Sequence, residues 1–324
     1  SPDYPTFAAA IAALDSAGVL DSAIFKVRDG TYNERLHLTE IECVDRKNQV
    51  IFESESSDST KVVLESSSAS YSSNYIIWLD GADGITFRKM TIANNTLYYK
   101  RVVYISNGAH YNQFNNNIIQ NNDSLSSSTS YALVYNESTS DHDFCLINNV
   151  LNRGSYGYYG RGVYSDPDRN TIIRGNTFMN QGYEGINGIY LSNFQLISNS
   201  FTSMSNNYWS SVDFDECHGQ NRIERNNIVG PNLNERYGLY LNDFDYGDTT
   251  WILNNFVSVG GTNTGCYPLH VEDFSRAMIY NNSLNLYNND TNTSGALFLE
   301  GGSFNCFNNH LICENGGYGM YRNY

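Results

Sequence analysis

The chain has 324 residues and a formal charge of −15, with 40% hydrophobic residues, only 16% charged ones and 26 tyrosines. A nucleic-acid partner needs a basic footprint to neutralise phosphates, and anionic membrane surfaces attract basic segments, so this balance excludes both. No apolar run approaches the roughly 20 residues of a membrane span, which leaves no expectation of membrane insertion.

The start at Ser1-Pro2-Asp3 predicts a mature or trimmed chain. Phe7 to Leu14 is apolar and Ala-rich, a helix expected to cap the open N-terminal end of the core within residues 1–22. Ala23–Val27 is expected as a strand, Asp29–Tyr32 as a turn, and Val50–Glu53 and Lys61–Leu64 as further strands. Ser66–Ser73 is a serine-rich loop.

From there a short pattern recurs: apolar residues, a polar step, Asn, any residue, then an apolar residue. It starts at Asn117, Asn149, Asn176, Asn199, Asn227, Asn255, Asn282 and Asn309, at steps of 32, 27, 23, 28, 28, 27 and 27. One step back lies Met90-Thr91-Ile92, the same pattern without Asn. A second, strictly alternating segment precedes each Asn: Val103–Ser106, Val163–Asp166, Ile189–Ser192, Val212–Asp215, Leu239–Asn242 and Leu269–Glu272. Three short strands per period of about 27 residues describe an all-β, right-handed parallel β-helix of about ten coils over residues 23–324. The whole of 1–324 is then a single domain. Asn at the corner tolerates a left-handed backbone and can bond to the Asn one coil away. The stop at Tyr324, mid-coil, predicts a longer protein whose further domains, or another chain, cover that end.

Asp3-Tyr4-Pro5-Thr6-Phe7-Ala8-Ala9-Ala10 followed by Asp29-Gly30-Thr31-Tyr32-Asn33-Glu34 resembles the opening of the pectin-lyase-like β-helix superfamily, which includes pectinesterases. The closest resemblance is to β-helix regions of large secreted or surface proteins of Bacteroidota-type bacteria, where strands like Val50–Ser54 and Trp78–Asp83 follow. The resemblance covers about residues 3–120. It implies export to an extracellular or cell-surface location and carbohydrate-rich surroundings, with polysaccharide or glycan as partner. It transfers no reaction, because the fold hosts lyases, esterases, hydrolases and inert adhesins.

In that superfamily substrates lie along the outer face of the first sheet, here the alternating strand. Its first outward column is Trp78, Tyr104, Tyr135, Tyr164, Tyr190, Asp213, Tyr240, His270, Phe298 and Tyr321. A second column, two residues on, holds Asp80, Ser106, Glu137, Asp166, Ser192, Asp215, Asn242, Glu272 and Glu300. The rings Trp78, Tyr104, Tyr164, Tyr190, Tyr240 and Phe298 are candidate sugar platforms; the bland alternative is a self-stacking ladder that stiffens the sheet.

Asp213 interrupts the aromatic row. With Asp215 and His270 it is a candidate catalytic group on a glycosidic bond. With Asp215, Asp243 and Glu272 it is a candidate calcium site, since calcium prefers oxygen clusters; Asp245 and Asp273 lie close in sequence. The ordinary alternative is a solvated acidic loop. His218 and His270 are candidate bases, although a lone His on a strand is more often a packed residue. Val212-Asp213-Phe214 resembles the strand carrying a catalytic Asp in pectinesterases, but the matching Arg is missing. Lyases of this fold resemble one another in using an Arg or Lys base, and neither outward column as aligned contains one. The six cysteines match no zinc spacing and are expected to be small core fillers, with Cys306–Cys313 or Cys217–Cys266 able to form a disulfide.

Three functions remain open: a carbohydrate-recognising β-helix module, a structural or adhesin segment without its own ligand site, and a polysaccharide hydrolase or lyase centred on Asp213. The first and third differ in whether a bound glycan is cut.

Overall fold

Corner asparagines hold the architecture together. In the computed structural model, which describes residues 3–67, 70–122, 126–137, 140–202, 209–230, 235–244, 247–261, 265–288 and 293–323, each closes its coil with the same bonds. Asn226 Oδ1 accepts from the Asn199 backbone N–H (3.0 Å) and the Asn199 amide (3.1 Å). Its own amide donates to the Leu196 carbonyl (2.9 Å) and to Asn255 Oδ1 (3.0 Å). The ladder runs through Asn117, Asn149, Asn176, Asn199, Asn226, Asn255, Asn282 and Asn309. Met90 N–H donates to Asn117 Oδ1 (3.1 Å), so the pattern continues one coil back without its own amide.

Two expectations about this corner are corrected. At the fifth rung the ladder residue is Asn226, buried, while Asn227 is exposed. The left-handed backbone is also not at the ladder residue but one position before it, at Asn116, Asn148, Gly175, Ser198, Arg225, Asn254, Asn281 and Asn308 (φ 53–68°). One residue makes the turn, and the next spends its amide on the coils above and below.

Every strand of the two large sheets pairs in parallel with its counterpart one coil away. One face is an 11-stranded sheet, from Gly30–Asn33 to His310–Glu314. Gly30–Asn33 therefore opens this face as a strand, where the sequence suggested only a turn. Its inward column is apolar throughout: Leu64, Ile92, Ile119, Leu151, Phe178, Phe201, Ile228, Val257 and Leu284 are all at most 1% exposed. The remaining two faces merge into one 20-stranded sheet, because Tyr267–Tyr280 and Gly295–Phe307 run unbroken around the corner between them. Phenylalanines stack along the interior, as in Phe178–Phe201 (centroids 4.7 Å, 4° between planes). Where consecutive in-register positions both carry Phe, ring meets ring across the coils, the arrangement that parallel stacking rewards.

The cap helix spans Phe7–Ala17. Thr6 Oγ1 accepts from Ala9 N–H (3.0 Å) at its start, and Gly18 (φ 60°) ends it; Phe7, Ala10, Ile11 and Leu14 face the core. All six cysteines are free thiols; Cys217 and Cys266 fill the core as expected, but Cys43 and Cys306 are exposed.

A polar pair, Asp141 and Asp168, lies inside the solenoid. Asp168 Oδ1 accepts from the Asp141 N–H (2.9 Å) and Oδ2 from the Asn136 amide (3.1 Å). Burial, and then the charge of Asp141, push the Asp168 carboxyl up to about 8.

Two predictions follow from these interior bonds. Asn226→Ala strands several buried polar groups at about 1–3 kcal/mol each, a loss of about 3–5 kcal/mol in urea unfolding, whereas Asn227→Ala costs under about 1 kcal/mol. Comparable losses from both would contradict the rung assignment. The folded chain also holds a proton on Asp168 that the unfolded chain releases near 3.8, so this group's stabilising share is full below that pH and is lost as pH rises through about 8. The melting temperature should therefore fall over that window, and Asp168→Asn should flatten the slope.

Candidate functional site

Strand register defines the outer face of the first sheet. Its central column is Trp78, Tyr104, Tyr135, Tyr159, Asn187, Asp213, Tyr240, His270, Phe298 and Tyr321. Tyr159 and Asn187 stand where Tyr164 and Tyr190 were expected. The strands there are Tyr156–Arg161 and Glu184–Ile189, not Val163–Asp166 and Ile189–Ser192. The second column shifts with them: Arg161 and Ile189 replace Asp166 and Ser192 beside Glu137, Asp215, Asn242, Glu272 and Glu300. An arginine does therefore stand on this face, contrary to the sequence alignment.

The column consists of two aromatic banks with a gap. On one side Trp78–Tyr104 (5.5 Å) and Tyr135–Tyr159 (5.3 Å) stack, and Tyr104–Tyr135 (5.6 Å) meet tilted at 46°. On the other, Tyr240 meets His270 edge-on (4.9 Å, 77°), His270 tilts against Phe298 (4.3 Å) and Phe298 stacks on Tyr321 (5.1 Å). A third column repeats the break: Tyr156, then Glu184 and Ser210, then Tyr237 and Tyr267. The gap is thus a polar patch of Glu184, Asn187, Ser210 and Asp213. It is framed by Tyr156, Tyr159 and Tyr183 on one side and by Tyr237 and Tyr240 on the other. Tyr159 to Tyr240 is three strand spacings, about 14 Å.

Gly185 makes this patch possible. A Cβ there would lie 2.6 Å from the Ser211 carbonyl oxygen and 2.8 Å from the Phe201 ring, so only glycine lets the chain bend this closely over the core. The bend brings residues three apart onto one side: the Asn187 amide donates to Glu184 Oε2 at 2.8 Å. Gly157 makes the same approach one coil earlier, 2.4 Å from Phe178.

The two carboxyls in the gap are strongly perturbed. Glu184 is 5% exposed. Burial, and next the Asp213 charge, raise it well above the usual carboxylate range, while the Asn187 hydrogen bond pulls the other way. Asp213, in register with Asn187, is pushed up to about 7 by burial and then by Asp215. Glu184 therefore holds its proton more tightly than an ordinary carboxyl, while Asp213 exchanges its own near neutral pH. An acid and a nascent carboxylate side by side are the two protonation states that general acid–base chemistry requires.

The other expected site residues divide clearly. Tyr240 borders the gap, and its hydroxyl donates to Glu272 Oε2 (3.3 Å). Asp215 stands beside the gap and accepts from the Asn242 amide (2.8 Å). Trp78 and Tyr104 lie in the far bank, where the Trp78 indole donates to Ser106 Oγ (2.8 Å) and the Arg101 guanidinium covers Tyr135 at 3.4 Å. Phe298 is packed between its neighbours, 8% exposed. Tyr164 and Tyr190 leave the ladder for the rim: they meet edge-on (5.8 Å), Tyr164 also meets His218 (6.0 Å), and the Tyr190 hydroxyl donates to Glu216 (3.1 Å). His270 is two coils from Asp213, with Nε2 3.3 Å from Glu272.

Asp213, Asp215, Asp243 and Glu272 do not converge on one point. Asp243 sits at a left-handed bend (φ 52°), and Asp245 lies outside the described residues. Among the described residues, the metal-competent group that does converge is His270, Glu272 and Glu300, with donor atoms within 4.8 Å of one another. The trough is open, with a concavity of about 210 Å³ beside Tyr267, Phe298 and Tyr321; another of about 500 Å³ lies far from it, under the cap helix beside Tyr4, Phe25 and Arg28.

Glu184 escaped the sequence reading, although a signal was present. Gly154, Gly157 and Gly160 recur as Gly182, Gly185 and Gly188, which aligns Tyr156 with Glu184 and Tyr159 with Asn187.

No family model and no curated protein matches the sequence. In structure the chain is similar to PfbA, a surface adhesin of Streptococcus pneumoniae (11% identity, TM-score 0.60, 97% of this chain and 87% of that one). It is also similar to the GH136 lacto-N-biosidase from Eubacterium ramulus (10%, 0.50, 90% and 61%). A third similarity is to the A-module of the Azotobacter vinelandii mannuronan C-5 epimerase AlgE4 (13%, 0.51, 100% and 94%). At these identities the likeness establishes the parallel β-helix fold, which carries different functions in the three proteins.

The coupling inside the gap can be tested by carboxyl-carbon NMR titration. Asp213→Asn should lower the Glu184 pKa by removing the neighbouring charge; an unchanged Glu184 titration would mean that the two carboxyls do not interact.

Proposed function

We propose that this chain is an extracellular β-helix protein that binds a glycan across the first-sheet trough and hydrolyses a glycosidic bond with Glu184 and Asp213. One observation carries the reading: two carboxyls with raised pKa values occupy the gap between two aromatic banks. A sheet-stiffening ladder alone has no use for that pair, whose burial costs stability.

Sugar rings would lie flat on Tyr159 and Tyr240, with the scissile bond over the gap. Glu184, protonated, donates its proton to the glycosidic oxygen and so makes the leaving group neutral. Asp213, ionised, either attacks the anomeric carbon or activates the water that does; both routes start from the same protonation state. Asn187 positions Glu184 through its 2.8 Å bond. The acidity of the gap speaks against β-elimination, which needs a strong base; Arg161, two coils from Asp215 in its column, is not beside the pair. The adhesin and biosidase neighbours are compatible with this reading without deciding it.

Release of reducing ends from an oligosaccharide panel tests it. Asp213→Asn and Glu184→Gln should each lower kcat/KM by roughly 10²–10⁴-fold without lowering the melting temperature. Tyr240→Ala should weaken binding instead. The wild-type rate should climb as pH passes through about 7, where Asp213 ionises. Glycan binding with no product release would return the chain to a recognition module, and no binding at all would contradict the glycan reading.

A further inference from the structure

We infer that the trough accepts glycans without acidic groups, and that Asp215 and Glu272 are the specificity determinants that exclude uronic acids and sulfated sugars. The inference rests on the glycan reading of the gap given above.

No described lysine or arginine forms an ion pair with the carboxylates along the trough. Asp215, Glu272 and Glu300 line the second column beside and beyond the gap. Each accepts a hydrogen bond from a neutral donor: the Asn242 amide to Asp215 (2.8 Å), the Tyr240 hydroxyl to Glu272 (3.3 Å) and the Asn323 amide to Glu300 (2.6 Å). Glu272 also has the His270 ring beside it, with Nε2 at 3.3 Å. These bonds fix the carboxylates in place without cancelling their charge. Glu272 is raised by burial and then by Glu300, its neighbour one coil on.

The N-terminal coils show the contrasting solution. Glu53 is also buried, yet Lys26, Arg88 and Lys89 surround it at 2.7–2.9 Å and hold its carboxyl down at about 2. No described residue does this for Asp213, Glu184 or Asp215, and no lysine occurs after Lys100. Among the described residues, the arginines of the face, Arg101 and Arg161, lie at its N-terminal side. Arg101 is clamped over Tyr135, and Arg161 stands in register with Ile189.

An acidic sugar placed on Tyr240 would bring its carboxylate or sulfate against fixed carboxylates that no described lysine or arginine neutralises. A neutral sugar offers hydroxyls, and these donate to carboxylates in strong charge-assisted bonds. The same residues thus attract one class of glycan and repel the other, which is how binding specificity is built.

Binding and product release should be measured with the whole chain on neutral oligosaccharides (gluco-, manno-, xylo- and galacto-series) and on oligogalacturonate, oligomannuronate and sulfated oligosaccharides. Each set is run at low ionic strength, in EDTA and again with calcium. The best neutral ligand should bind at least about tenfold tighter than any acidic one. Asp215→Asn combined with Glu272→Gln should raise the acidic-to-neutral affinity ratio by about tenfold, and high salt should shrink that gain. An acidic oligosaccharide bound as tightly as the best neutral one overturns the inference while leaving the glycan reading standing. Acidic binding that appears only with calcium overturns it too, because the carboxylates would then recruit acidic sugars through the ion. A ratio unmoved by the double variant removes Asp215 and Glu272 as determinants. Indifference to every glycan of both classes defeats the inference together with the reading beneath it.

Discussion

The whole molecule depends on one repeated interaction, the side-chain amide of a corner asparagine bonded to the coil on either side. That amide satisfies backbone groups which the turn would otherwise bury unpaired, and it does so at fixed register. Once register is fixed at the corner, the rest of each coil is aligned with its neighbours at the strand spacing. Insertions can then leave through the loops without disturbing the stack: the step from Asn117 to Asn149 is five residues longer than the 27-residue step that follows it, and both close with the same bond.

Alignment of this kind turns the outer face into columns, and a column makes every substitution local. Replacing rings by Asn187 and Asp213 in one row, and by Glu184 and Ser210 in the next, opens a polar gap while the flanking tyrosines stay where the ladder puts them. The cost falls on the carboxyls, which lose water and face each other. Parallel stacking makes like groups neighbours, and for rings that is attractive; for carboxyls it is a source of raised proton affinity. The interior Asp141–Asp168 pair and the Glu272–Glu300 pair show the same physics at two other levels of the solenoid.

Much of the fold was legible because its signals are periodic. The Asn step, the alternating strands and the Ala-rich cap each point to a parallel β-helix independently, and Asp213 stood out as the residue that breaks an aromatic row. Errors arose where two periodic signals competed. Val163-Tyr164-Ser165-Asp166 alternates well, but it lies in an insertion whose isolated Val163–Asp166 bridge folds back on itself. The true strand, Tyr156–Arg161, carries Gly157 and Gly160 and so lacks clean alternation. The same confusion hid Glu184, which becomes an outward residue only because Gly185 bends the chain. A close backbone approach leaves no hydrophobic pattern, only a glycine. Likewise Asn226 and Asn227 are indistinguishable by type, and only the left-handed turn at Arg225 decides which amide enters the ladder.

The central claim is that the Glu184–Asp213 gap is where a sugar chain is held and acted on. A crystal structure of the Asp213→Asn variant with a neutral oligosaccharide tests it most directly. The account predicts sugar rings on Tyr159 and Tyr240 with a glycosidic oxygen within hydrogen-bonding reach of Glu184. A sugar chain bound elsewhere, such as along Trp78 and Tyr104 with the gap filled only by water, would contradict it.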